Sequence, residues 1–243
     1  MKLTKIFAAV AAVVSMGSVQ ASGLLADAPE EGTKGNIDLG FVDTSGNTNT
    51  TTMNGAFDYL IRVSDPYSMG FSVTGLNNSD DDERSAEKYT FAWNNRYDLS
   101  EKDFLYGTLD YVNDYFGAYD YQSGVYFGYG RQIFKDDSGS LSLGVAAGYR
   151  INKVFVGDDE KEGVLRGDLD YAYNISESAT FTQKLTAIIG EEVDTYDSET
   201  ALTAKLSDSL ALKVAYLVTH NSKVPADRDK TDKTASVGVS YSF

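Results

Sequence analysis

This sequence predicts a closed, up-and-down antiparallel β-barrel of about twelve strands, and three observations carry that prediction. Apolar and polar residues alternate with period two along most of the chain. The polar stripe holds more charge than an ordinary exposed sheet surface needs. The connectors fall mainly into two kinds, tight turns and longer charged segments, which alternate along the chain.

The N-terminus reads as an export signal. Lys2 and Lys5 precede an apolar run from Ile6 to Met16, and Val19-Gln20-Ala21 places small residues where a signal peptidase reads. Cleavage is expected after Ala21. The run is too short for a spanning helix, which takes about 20 residues. The expected organisation is therefore a signal peptide over 1–21, a short acidic leader without a clear pattern over 22–34, and a barrel over 35–243.

The strands then follow in order. Ile37, Leu39 and Phe41 open the first. Met53, Gly55, Phe57, Tyr59, Ile61 and Val63 alternate with Asn54, Asp58 and Arg62 in the second. Tyr67, Met69, Phe71 and Val73 mark the third, just after Pro66, where a proline breaks no ladder. Tyr89, Phe91, Trp93 and Tyr97 mark the fourth, and Leu105, Leu109 and Tyr111 the fifth. The sixth carries Tyr121, Val125, Phe127 and Tyr129, the seventh Leu141, Leu143, Val145 and Tyr149, the eighth Leu165, Leu169 and Tyr171. Weaker alternation follows at Phe181, Leu185, Ile189 and at Thr200, Leu202, Ala204. The last two strands are Leu210, Leu212, Val214, Tyr216, Val218 and Ala235, Val237, Val239, Tyr241, Phe243.

Tight turns are expected near Ser64-Asp65-Pro66, Leu99-Ser100-Glu101, Ile175-Ser176-Glu177 and Ser207-Asp208-Ser209. Long charged loops are expected at NNSDDDERSAEK, NKVFVGDDEKEG, GEEVDTYD and NSKVPADRDK. Two joins fit this scheme less well: the first loop is short, and the turn through QIFKDDSGS is longish.

Composition excludes much chemistry. With no Cys there is no disulfide scaffold, thiol nucleophile or Cys-ligated metal. A single histidine, His220, excludes a His-rich metal site, and no metal or cofactor is expected. A net charge of −15 opposes nucleic-acid binding. The acidic runs Asp80-Asp81-Asp82-Glu83 and Asp158-Asp159-Glu160 lack the spacing of a calcium loop and read as solvated loops.

A soluble barrel would turn its apolar stripe inward; a membrane barrel turns it to lipid. The export signal, the even strand number, the one-sided long loops and the ringed strand ends favour the membrane case. Tyr59, Tyr89, Trp93, Tyr97, Tyr111, Tyr129, Tyr149, Tyr171 and Tyr241 are expected as membrane-interface aromatics, with buried rings and wet polar tips. The expected lumen-lining charges are Asp58, Arg62, Arg96, Asp110, Arg150, Arg166, Asp168, Asp170, Lys184, Glu199, Lys205 and Lys213, joined by Asp38, Asp98 and Asp197. That set is nearly balanced, which suggests ion pairs across the interior. Inward glycines such as Gly70, Gly124, Gly130, Gly144 and Gly148 are expected to leave room. The function that follows is a structural barrel or a narrow, weakly selective pore.

The run Ser45-Gly46-Asn47-Thr48-Asn49-Thr50-Thr51-Thr52, the runs Phe181-Thr182-Gln183 and Ser198 to Asp208, and the ending Asp232 to Phe243 resemble a family of salt-induced outer-membrane proteins of Gram-negative bacteria, a domain-of-unknown-function family. The resemblance covers roughly 36–243. It implies an outer-membrane location and a role tied to salt or osmotic stress. Tyr241-Ser242-Phe243 resembles the assembly signal of outer-membrane barrels. Its implied partners are the barrel-assembly machinery, outer-membrane lipid and lipopolysaccharide.

No enzyme is expected. One alternative is a lipid esterase, because twelve-stranded outer-membrane phospholipases use a His-x-Ser pair and His220-Asn221-Ser222 has that spacing. Ser222 would attack the ester with His220 as base, but Asp232, Thr234 and Ser236 on the next strand supply no orienting Asn.

Overall fold

Alternation with period two gives every strand one apolar and one polar face, and closing the sheet encloses the second. The computed structural model describes residues 24–26, 28–44, 50–80, 83–116, 119–154, 158–224 and 229–243. Twelve strands follow in chain order: β1 (Thr33–Thr44), β2 (Thr50–Ser64), β3 (Tyr67–Asp80), β4 (Glu83–Asp98), β5 (Asp103–Asp114), β6 (Tyr121–Asp136), β7 (Gly139–Lys153), β8 (Glu160–Ser176), β9 (Ala179–Ile189), β10 (Thr195–Lys205), β11 (Leu210–Asn221) and β12 (Thr231–Ser242). Each pairs antiparallel with its sequence neighbours, and β12 returns to β1, so the barrel closes. The signal-peptide reading over 1–21 lies outside the described residues.

The first strand starts at Thr33, two positions before the expected boundary of 35, and Gly35 is already paired with Tyr59. At the closing seam the pairing runs from Asn36↔Ser242 to Gly40↔Gly238. Reciprocal bonds extend it: Gly35 N–H donates to the Phe243 carbonyl at 2.8 Å, and Phe243 N–H donates back at 3.0 Å. The Phe243 ring lies where a Gly35 side chain would stand.

The turn end is tighter than the sequence suggested. Only residues 137–138 separate β6 from β7, because Gln132 to Lys135 continue the strand past a bulge at Gln132/Phe134. Asp136 shapes this turn by accepting from the Ser138 N–H at 2.8 Å and the Ser138 hydroxyl at 2.5 Å. Gly139 follows at φ 147°, with the Ala172 carbonyl oxygen 2.1 Å from where a Cβ would lie. A side chain is excluded there on both counts.

The loop end also differs. Most of NNSDDDERSAEK forms the ends of β3 and β4, with pairs Ser79↔Arg84 and Asp80↔Glu83 beyond a bulge. Only residues 81–82 intervene, so this is an extended hairpin rather than a long loop. Likewise Glu160 to Gly163 belong to β8. In the connector 115–120, the Tyr119 hydroxyl donates to Glu160 at 3.2 Å, and burial followed by that carboxylate pushes its pKa up. In the connector 222–230, Lys223 donates to Glu192 at 3.1 Å, which raises its pKa.

The apolar stripe faces out. Phe127, Val145 and Leu165 on neighbouring strands are 66%, 65% and 66% exposed. Such a belt is far more apolar than the surface of a soluble monomer. Among the described residues no helix is long and apolar enough to cross a membrane.

Candidate functional site: the lumen

The wall formed by β5 to β8 is filled. Arg166 is buried, and its Nε and Nη2 each donate to Asp168 at 2.9 Å. Its Nη1 reaches Asp110 at 3.4 Å. Asp168 also accepts from the Tyr106 hydroxyl at 3.0 Å and from Thr186 at 2.8 Å. The guanidinium stands 4.9 Å from the Tyr126 ring centre, a cation–π contact. Nearer the loop end, Arg150 donates to Glu162 at 2.7 Å, to Thr195 at 3.0 Å and to the Val193 carbonyl. Buried charges persist only when paired in this way.

The opposite wall, from β9 round to β3, is hollow. Lys213 donates to Asp38 at 2.8 Å and lies 3.3 Å from Glu199. Asp58 accepts from Ser72 at 2.5 Å. Lys184 is paired in register with Glu199 on one side and Asp170 on the other. Two cavities of about 130 and 280 Å³ share Asp58, Ser72, Lys184, Glu199 and Lys213 and so adjoin one another. At the turn end a third, of about 470 Å³, is lined by Arg62, Arg96 and Asp98. Asp98 accepts from both arginines there at 2.7 Å.

The structure thus draws most of the expected charges into three groups: Arg166 with Asp168 and Asp110; Lys213 with Asp38 and Glu199; Arg62 and Arg96 with Asp98. Lys205, the last residue of β10, stands exposed at the turn-end rim instead. Three further charges, Glu162, Lys88 and Asp114, face the lumen, and Lys88 pairs with Asp114 at 3.3 Å. Glu162 and Lys88 fall in segments that read as loops in the sequence. Strand parity carried one to three residues further reaches all three.

The inward glycines do not leave open space, which corrects the sequence expectation. The ring of Tyr126 fills the places of Gly124 and Gly148, and Phe104 fills that of Gly130. Leu24 occupies the place of Gly144, and Leu25 with Leu60 that of Gly70. Glycine here lets a large neighbour lie flat against the wall.

On the outer wall, Phe134, Tyr171 and Phe181 meet edge to face towards the turn end. Tyr111 stacks on Tyr121 towards the loop end. Tyr129 donates to Asp103, and Tyr89 to Glu87 at 3.1 Å. Tyr97, Tyr149 and Tyr241 are exposed, and Tyr59 and Tyr171 half-buried. Trp93 stacks on Phe71 and is paired with Leu109 inside the sheet, away from either strand end.

His220 and Ser222 are engaged separately. His220 Nδ1 lies 2.7 Å from the Thr231 hydroxyl and its ring 6.2 Å from that of Tyr196. The Ser222 hydroxyl accepts from the Asp194 N–H at 2.8 Å. Neither arrangement activates Ser222 as a nucleophile. Among the described residues, no His, Asp and Glu cluster is arranged to hold a metal.

A closed twelve-stranded barrel with an apolar outer wall and a charged, partly hollow lumen is a porin-like fold of the outer-membrane type. The chain belongs to the family described as "Protein of unknown function, DUF481", which matches residues 37–243. Uncharacterized protein YdiY of Escherichia coli (strain K12) is 29% identical over 211 residues, which are 86% of this chain and 83% of that protein. Among solved structures, the COG4313 outer membrane channel from Pseudomonas putida F1 superposes with a TM-score of 0.52 at 12% identity, over 88% of this chain and 95% of that one. The NanC porin does so with a TM-score of 0.52 at 14% identity, over 85% and 98%. At these identities the likeness is one of fold.

Proposed function

We propose that this barrel sits in the outer membrane and forms a narrow aqueous conduit with a weak preference for cations. The observation that carries the reading is the pair of adjoining, charge-lined cavities beside β1–β3 and β9–β12. Asp38, Asp58, Asp170 and Glu199 face this space, against Lys34, Lys184 and Lys213, a net excess of one carboxylate. Carboxylates in excess along a narrow path favour cations. The remaining width is small because Arg166, Tyr106 and Tyr126 fill the other half. A fold shared with a channel and a porin supports conduction as the use of that space.

The lipid-facing belt, with lipid and lipopolysaccharide as its neighbours, and an assembly signal at Tyr241 and Phe243 read by the barrel-assembly machinery, belong to the same proposal. So does a role under salt stress, where a cation-leaning conduit would respond directly to external ions. The test is single-channel recording in planar bilayers under a KCl gradient. Small steps with a reversal potential on the potassium side are expected. Inserted protein that gives no steps, even with residues 22–32 removed, would leave only the structural barrel.

A further inference from the structure

We propose that the turn-end half of the lumen is a binding site for this chain's own leader, and that the seated Leu24–Leu25 pair shuts the conduit. The inference rests on the conduit reading above. Leu24 is wholly buried in one cluster with Phe104, Tyr106, Tyr126, Ala146, Val164 and Ile188, although it precedes the first strand. Leu25 is 6% exposed. Both seats are shaped by missing side chains. A Cβ on Gly144 would stand 2.4 Å from the Leu24 methyl Cδ2, and one on Gly70 would stand 2.7 Å from that of Leu25.

The backbone is held as well. Arg96 Nη1 donates to the Leu24 carbonyl at 3.2 Å, while the same guanidinium lies 3.7 Å from the Phe104 ring centre. Ala28 N–H donates to the Leu25 carbonyl at 3.1 Å, closing a turn. Leu25 adopts φ 47°, a left-handed conformation that bulky residues avoid. Burial of two leucines holds a shape the isolated segment would not keep.

Position makes this seat a gate. Leu25 and Ala26 line both the lumenal cavity and the turn-end mouth, so they form part of the partition between the two. In the mouth, Glu30 of the leader shares the cavity with Arg62, Arg96 and Lys135 and with Asp65, Asp98 and Glu101. The link to β1 passes through Gly32 at φ 71°, where an added Cβ would meet nothing within 4 Å and whose carbonyl accepts from the Arg62 N–H at 2.9 Å. The hold is non-covalent and hinged at a glycine, so the leader can leave without disturbing the sheet.

The test compares the full chain with the Leu24→Ser/Leu25→Ser variant, which leaves the barrel wall intact. A Leu24→Cys chain, otherwise free of Cys, reports the seat by maleimide labelling. Labelling is expected to be slowed about tenfold or more against the urea-unfolded chain. The double serine variant is expected to give larger or longer openings than the unaltered chain. A peptide of residues 24–32, at about 1 mM to match the tether's effective concentration, is expected to reduce them again. Fast labelling, or a peptide without effect, overturns the binding site. Equal conductance in both chains overturns the gate and leaves the conduit. No steps in either chain overturns the conduit reading and the gate with it.

Discussion

The guanidinium of Arg166 donates to both carboxylate oxygens of Asp168, two residues along the same face of β8, with contacts of 2.9 Å from Nε and Nη2. Neither side chain meets solvent. Asp110 from β5 approaches the remaining edge of the same guanidinium, so the pair ties two strands across the lumen.

Removing this cation strands two buried carboxylates. Arg166→Met is expected to destabilise the barrel by about 3–5 kcal/mol, the usual cost of breaking a buried pair. Urea unfolding of the refolded protein in micelles measures it. Lys153→Met, at the half-buried pair with Asp159, is the control and should cost no more than about 1 kcal/mol.

The outer wall predicts the opposite pattern. Leu165→Arg places a charge amid the exposed apolar belt. At the bilayer midplane this costs about 2–4 kcal/mol. Reversible unfolding from lipid vesicles reads it directly.

Ion preference follows from the hollow wall. The double variant Asp58→Asn/Glu199→Gln should move the reversal potential towards zero under a KCl gradient. Lys213→Met removes the cation between Asp38 and Glu199 and should move it further to the potassium side.

The seam predicts an assembly defect. Phe243→Ser removes the ring that covers Gly35 while leaving its backbone bonds possible. A smaller heat-modifiable fraction in the outer membrane is the expected outcome, read on unheated gels.

If His220 served a hydrolytic site, His220→Ala would remove activity on a lipid ester. Because His220 and Ser222 are bonded to different partners, equal background rates are expected from both proteins.

Much of this molecule is legible along the chain because a sheet closed on itself has one rule, a change of face at every residue. Met53, Phe57 and Val63 against Asn54, Asp58 and Arg62 display it without ambiguity. The rule fails where both faces are apolar. In β5, Phe104 and Tyr106 point inward on either side of Leu105, and no contrast marks them. It fails again where polar strands outrun the membrane-like core, as in Glu160 to Gly163. The leader escaped for another reason: Leu24 and Leu25 are fixed by contacts with distant strands, and two residues carry no period. The glycines misled because an absent side chain reads the same whether a ring or water takes its place.

The central claim is that the apolar stripe meets hydrocarbon and the polar stripe an enclosed lumen. Because the chain has no Cys, single-cysteine labels can be placed in turn at Leu212, Lys213, Val214, Ala215 and Tyr216 of β11, whose inward positions line the hollow wall, and quenched by spin-labelled lipid acyl chains. Strong quenching is predicted at 212, 214 and 216 and weak quenching at 213 and 215. Uniform quenching, or equal aqueous labelling at all five positions in a chain that stays monodisperse without detergent, would contradict it.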